Sequence, residues 1–272
     1  MNKFYLKITL VFLFFSQILI LDACSTDEQV NTETEEIDNE TESQTETTES
    51  PKSQIETNVV SNLLSSESAT TFQEDAGPIY YSLEENKIID KNLSQTSLWD
   101  IEFVGAFNSS VKANDKNDKS SSGYQGSGTA KIYLYTDSAI EADLFNKQKG
   151  TLKRVPERAL LDKIYNELSA VPETGITQSL NEIGVDAITI ENSWCYYDAG
   201  GDLYPDAGRV KEHVVYALPR VIIVKTNKGN YAKIIMQSLY KGNPENPDRN
   251  NDPGYLNFKY TIQKNGTKKF TE

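Results

Sequence analysis

Histidine occurs once in this 272-residue chain, at His213, and cysteine twice, at Cys24 and Cys195. Those counts limit the chemistry at once. A serine–histidine–aspartate triad would have to use His213, and no Gly-x-Ser-x-Gly elbow offers the serine. Zinc held by protein side chains needs paired Cys or His ligands, which are absent. Gly126-Ser127-Gly128 lacks both the lysine and the following helix of a phosphate-cradling loop. Asp115-Lys116-Asn117-Asp118 and the Asn/Asp-rich stretch from Asn246 to Asp252 carry oxygens that suit calcium. Neither has calcium-loop spacing, and polar surface loops explain both. No enzyme is expected. Cys195, beside Trp194, reads as a small buried hydrophobe. Abundant tyrosine in a domain without catalytic groups points to binding of a small molecule, a partner protein or a glycan.

The elements that would position such a site centre on Val221 to Tyr240. Val221-Ile222-Ile223-Val224 is a β-branched run, and a second run from Tyr231 to Tyr240 alternates with period two. Asn227-Lys228-Gly229-Asn230 between them supplies a glycine for the positive φ of a tight turn. Both alternating sets of the second run hold apolar residues, so the hairpin is expected at the centre of a sheet covered on both faces. Further strands are expected at Pro78–Leu83, Lys87–Asp90, Leu98–Val104, Ala130–Tyr135, Ala187–Ile190, Ser193–Tyr197 and Tyr255–Gln263, with another starting at Val214. The period changes to helical over Glu157 to Leu168, where Leu160, Leu161, Ile164 and Leu168 form a stripe after Pro156. A looser helical pattern covers Ser138 to Lys147. The class is mainly β, with one or two short helices.

Charge is distributed unevenly. The formal net charge is −13, but Ser25 to Thr57 alone carries 11 acidic residues and one lysine, leaving −4 for residue 58 onward. A nearly balanced domain without Lys/Arg blocks excludes nucleic acid as its main partner. Lys3 and Lys7 followed by an apolar run to Leu21 are expected to form a secretory signal, with a spanning helix as the alternative. Leu21-Asp22-Ala23-Cys24 resembles a bacterial lipobox, which implies a signal peptide at 1–23 and a lipidated Cys24. Acyl chains there would tether the protein at roughly 0.8 kcal/mol per buried methylene. Ser25-Thr26-Asp27-Glu28 resembles the acidic surface-export signal of Bacteroidetes lipoproteins. From residue 24 to 75 the Glu/Thr/Ser composition cannot offset ordering entropy, so a disordered tether is expected, Ile55 to Leu64 included. The folded domain is expected over 76–272.

Several pieces in fixed order resemble the HmuY-type haem-binding lipoprotein family. They are Tyr80-Tyr81-Ser82-Leu83, Leu98-Trp99-Asp100-Ile101-Glu102-Phe103, Ser121-Ser122-Gly123, and Trp194-x-Tyr196-Tyr197. Arg220-Val221-Ile222-Ile223-Val224-Lys225-Thr226, Gly229-Asn230-Tyr231-Ala232-Lys233-Ile234, Leu239-Tyr240 and Phe258-Lys259-Tyr260 complete the series. The resemblance covers Gly77 to Phe270. It implies two packed, mostly antiparallel sheets and a lipid-anchored location at the outer membrane or cell surface. It also implies capture of haem b, or a related tetrapyrrole, from a haemoprotein donor, with delivery to an outer-membrane receptor for iron acquisition.

Haem iron in such sites is held by two axial side chains, commonly His or Met. This chain has one His, and the position after Trp194–Tyr197 where another is expected carries Asp198 and Ala199. No ligand can be matched there residue by residue; His213, in the loop just before the Val214 strand, could serve as the metal ligand and Met236 as the other soft ligand. A hydrogen-bonded loop histidine and a core methionine explain the same two residues. Tyr196, Tyr197, Tyr204 and Tyr216 could sandwich a porphyrin or ligate iron as phenolates, and core or rim packing also accounts for each. The alternative is a ligand-binding or adhesion module of the same fold that has lost haem ligation.

Overall fold

The computed structural model describes residues 54–64, 77–173, 178–186 and 191–272. The expected signal peptide, Cys24, the acidic stretch and the strand expected at 187–190 lie outside these residues.

The described elements run β1 (Ile55–Leu63), β2 (Ile79–Ser82), β3 (Lys87–Ile89), β4 (Ile101–Val104), β5 (Ser110–Ala113) and β6 (Lys131–Tyr135). Helix α1 (Ser138–Leu144), the short pair β7 (Phe145–Asn146) and β8 (Thr151–Leu152), and α2 (Arg158–Glu167) follow. Then come β9 (Gly184–Asp186), β10 (Ser193–Asp198), a 3-10 segment (Pro205–Lys211), β11 (Val214–Ala217), β12 (Val221–Lys225), β13 (Tyr231–Tyr240) and β14 (Pro253–Gln263).

The protein is mainly β. A five-stranded antiparallel sheet of order β1-β14-β13-β12-β6 packs on a four-stranded antiparallel sheet of order β3-β2-β4-β5. Two smaller sheets accompany them: β11-β10-β9, in which β10 and β9 run parallel, and the β7-β8 ribbon. The hairpin expected at the centre is there. β12 and β13 pair from Val221↔Ile235 to Lys225↔Tyr231, and Gly229 takes φ +85° in the turn between them.

Period two on β13 explains why both faces are covered. Ala232, Ile234 and Met236 enter the core between the two large sheets, beside Ile101, Phe103 and Phe258. Ile235 faces the other way with Val221 and Ile223, under Leu161, Ile164 and Tyr165 of α2. Burying each such aliphatic side chain is worth roughly 1.5–3 kcal/mol, so Ile234→Ala would cost about 2–5 kcal/mol with its cavity.

The caps follow from the sequence. Asp137 Oδ1 accepts from the N–H groups of Ala139 and Ile140 and opens α1. At the end of α2, Lys233 Nζ donates to the carbonyls of Tyr165 (2.6 Å) and Leu168 (2.8 Å), satisfying orphan acceptors from the sheet below. Pro156 lies just outside α2, because Glu157 is its N-cap residue.

The tether expectation needs one correction. Ile55–Leu63 is strand β1, paired antiparallel with β14 from Ile55↔Gln263 to Leu63↔Leu256. None of its side chains is fully buried and Val59 is 64% exposed, so composition gave no sign of it. The backbone ladder, the Lys264–Glu56 ion pair (2.7 Å) and the Asn62 N–H to Asn257 Oδ1 bond (2.9 Å) hold it instead.

Candidate functional site

Two side chains singled out in the sequence meet on the β10–β11 hairpin. Its register pairs Tyr197 with Val215 and Asp198 with Val214, so His213 emerges one residue beyond the last pair. The Asp198 carboxylate fixes the loop that follows, accepting from the N–H groups of Asp202 (2.9 Å) and Leu203 (3.1 Å). His213 adopts φ +60°, a left-handed conformation uncommon outside glycine, and its N–H reaches the Ala199 carbonyl at 3.3 Å. That bend turns the imidazole back toward β10, where its Nδ1 lies 2.7 Å from Tyr197 Oη.

Both side chains line a cleft of about 710 Å³. Its walls come from four parts of the chain: Ala106 and Phe107 in the β4–β5 turn, Val185 on β9, Val215 on β11, and Leu239, Tyr240 and Pro253 where β13 gives way to β14. Most of these are apolar. Ser109, Ser110, Arg249 and Asn251 add polar atoms. The volume falls within the roughly 300–1,000 Å³ typical of small-molecule sites, and few polar fixers among apolar walls is the usual pattern.

The walls are held in place by specific bonds. Trp194 Nε1 donates to the Ser109 carbonyl (2.5 Å), tying the β4–β5 turn to β10. The Val215 N–H donates to Tyr240 Oη (2.9 Å), and burial pushes the Tyr240 phenol up to about 12, so it stays protonated. Lys211 Nζ donates to Asn246 Oδ1 and to the Pro247 carbonyl, both at 2.7 Å, joining the 3-10 segment to the loop before β14. In that loop the Arg249 guanidinium lies 3.5 Å from Glu212 Oε2 and 3.3 Å from the Arg209 carbonyl.

The other expected site residues are elsewhere. Tyr196, next to Tyr197 and therefore on the opposite side of β10, packs with Leu144, Phe145, Leu152 and Leu218. Met236 is 1% exposed in the core between the large sheets and does not line the cleft. Tyr204 and Tyr216 pack against each other with ring centroids 6.2 Å apart, also away from it. Cys195 is buried, and burial raises its thiol well above the ordinary range.

The calcium-like stretches have local explanations. Asp115 pairs with Lys131, Asp118 accepts from Ser120, and Asp248 accepts from Asn250. Among the described residues no group of three or more His, Cys, Asp or Glu side chains is placed to hold a metal. Sequence reasoning missed Phe107, Tyr240 and Arg249 as cleft residues. The register of the β10–β11 hairpin was the one signal that could have joined Tyr197 to His213.

No family model matches the chain, and no curated protein matches it. Among solved structures it is similar to a protein from Bacteroides fragilis described as a lipoprotein, at 14% identity and a TM-score of 0.32, over 78% of this chain and 92% of that one. It is also similar to a protein from Bacteroides vulgatus described as an HmuY-like heme binding protein, at 13% identity and a TM-score of 0.33, over 78% of this chain and 93% of that one. Among the described residues no helix is long and apolar enough to cross a membrane.

Proposed function

We propose that the protein binds haem, or a related tetrapyrrole, in the cleft beside Tyr197 and His213, and that it does no chemistry on it. In this reading it is a lipoprotein anchored through Cys24 at the outer membrane or cell surface. Haem from a haemoprotein donor is its cargo, passed to an outer-membrane receptor in iron acquisition.

One observation carries the reading: an apolar-walled cleft of about 710 Å³ whose lining includes the chain's single imidazole, hydrogen-bonded to a phenol. The residues fit the cargo's parts. Phe107, Val185, Val215 and Leu239 suit a flat hydrocarbon ring, Arg249 suits a carboxylate, and the Tyr197–His213 pair offers donor atoms for iron.

A Soret titration of the soluble domain with ferric haem is the direct test. A shifted, saturable band at one equivalent is expected; a spectrum equal to that of free haem sinks the proposal. The rival, a binding or adhesion module of the same fold without haem ligation, is favoured by one fact: Met236, the expected second ligand, is sealed in the core.

A further inference from the structure

We infer that Tyr197, not His213, is the iron-ligating residue of the cleft, and that His213 is the positioning residue that takes up its proton. The inference rests on the haem-binding reading above and goes beyond it by assigning the ligand and the iron oxidation state the site prefers.

The geometry of the pair carries it. Tyr197 Oη and His213 Nδ1 are 2.7 Å apart. The 2.7 Å contact admits either direction; because a phenol is a stronger acid than a neutral imidazole N–H, we take the phenol as donor and Nδ1 as acceptor. The proton of the neutral ring then sits on Nε2, and which ring nitrogen carries it is set by the bond the other makes. Such an imidazole has no free lone pair for iron at either nitrogen. The phenol oxygen does have lone pairs, because donating its proton uses none of them.

The supporting elements point the same way. Tyr197 is carried on β10 and paired with Val215 of β11, while β9 pairs with β10 only as far as the preceding residue, Tyr196↔Asp186. His213 sits in the connecting loop at φ +60°, bent so that its ring faces the phenol. That is an arrangement of a fixed ligand and a partner directed at it.

The rest of the lining fits a single ligand. Among the described residues, and apart from this pair, Tyr240 is the one lining side chain with a phenol, imidazole or sulfur, and its oxygen is engaged by the Val215 N–H. Two-ligand imidazole or thioether coordination has no second group here. Iron held by one tyrosine oxygen needs none.

In the binding step the Tyr197 O–H bond breaks, its proton passes to His213 Nδ1, and the phenolate oxygen forms the bond to ferric iron. No electrons are transferred. The anionic oxygen favours ferric over ferrous iron, so reduction is expected to weaken the complex.

The experiment is ferric haem titration of the wild-type domain, Tyr197→Phe and His213→Ala, followed by optical and resonance Raman spectra. The wild-type complex is expected to be high-spin and to show phenolate ring modes when excited in its charge-transfer band, a readout that needs no variant. Tyr197→Phe should lose both features. His213→Ala should keep the phenolate modes while binding on the order of 10–100-fold more weakly, as for loss of a ligand's hydrogen-bond partner. A low-spin imidazole-type spectrum that survives Tyr197→Phe and vanishes in His213→Ala overturns the ligand assignment and leaves the haem reading standing. A wild-type protein that leaves the free-haem spectrum unchanged overturns both.

Discussion

The Arg220 guanidinium meets the Glu141 carboxylate through two parallel hydrogen bonds, Nε to Oε1 at 2.9 Å and Nη2 to Oε2 at 2.8 Å, with the Arg220 side chain 3% exposed. Its Nη1 donates to the carbonyl and hydroxyl oxygens of Ser193, and the guanidinium carbon lies 4.9 Å from the Phe145 ring centroid. One buried cation thus fastens α1, the start of β10 and the start of β12 together. Removing its partner leaves a charge in a low-dielectric site, so Glu141→Ala should destabilise the domain by about 3–5 kcal/mol. Urea denaturation checks this, and a loss under about 1 kcal/mol would mean that Arg220 finds water instead.

Asp100 gives a pH dependence of unusual sign. Its two oxygens accept from the Leu83 N–H and the Asn227 N–H, which ties the β12–β13 turn to the smaller sheet. Burial nevertheless outweighs these bonds and raises its pKa from 3.8 to about 6. Between those values the folded protein holds a proton that the unfolded chain has released. Asp100's contribution to stability therefore grows as pH falls through 6 and is smallest above it, by up to about 3 kcal/mol over the whole window. The wild-type minus Asp100→Asn difference in unfolding free energy should increase from pH 7 to pH 5. A flat difference refutes the assignment.

Strand β1 changes where a soluble fragment should start. A fragment beginning at residue 51 retains β1, and one beginning at residue 76 bares the β14 edge. The shorter fragment should lose on the order of 2–4 kcal/mol, several net hydrogen bonds less the entropy of ordering the strand. It should also self-associate, because an unpaired edge is a template for pairing. Chemical denaturation and light scattering of the two fragments decide it.

Arg249 bears on the carboxylates of the proposed haem ligand. If its guanidinium grips one of them, Arg249→Ala should weaken ferric haem binding by roughly tenfold, a charge-assisted bond of about 1.5–3 kcal/mol discounted for its partial exposure. Binding of the haem dimethyl ester should be unaffected. Equal losses for both ligands would assign Arg249 a packing role only.

Much of the sheet framework was legible because its strands carry strong period-two patterns between turn residues. The Val221–Tyr240 hairpin and its central place followed from two apolar sets on one strand. β1 was not legible, because Thr57, Asn58, Ser61 and Asn62 give it a linker's composition and its stability comes from backbone bonds to β14. At the site, His213 and Tyr197 could be named from residue type, yet their meeting depends on a hairpin register closed over a long loop. Met236 looked available as a soft ligand, but strand alternation sends its sulfur into the core. Arg249 was hidden in an Asn/Asp-rich stretch whose composition suggests cations rather than a guanidinium facing a cleft.

The antiparallel pairing of β1 with β14 also has a mechanical meaning. A pull along the strand axis at Ile55 would strain its ladder in shear, with the rungs from Gln263 to Leu256 resisting together instead of opening one at a time. Under tension at its N-terminal side, the domain would yield through sliding of this outermost strand before the buried β12–β13 pair felt the strain.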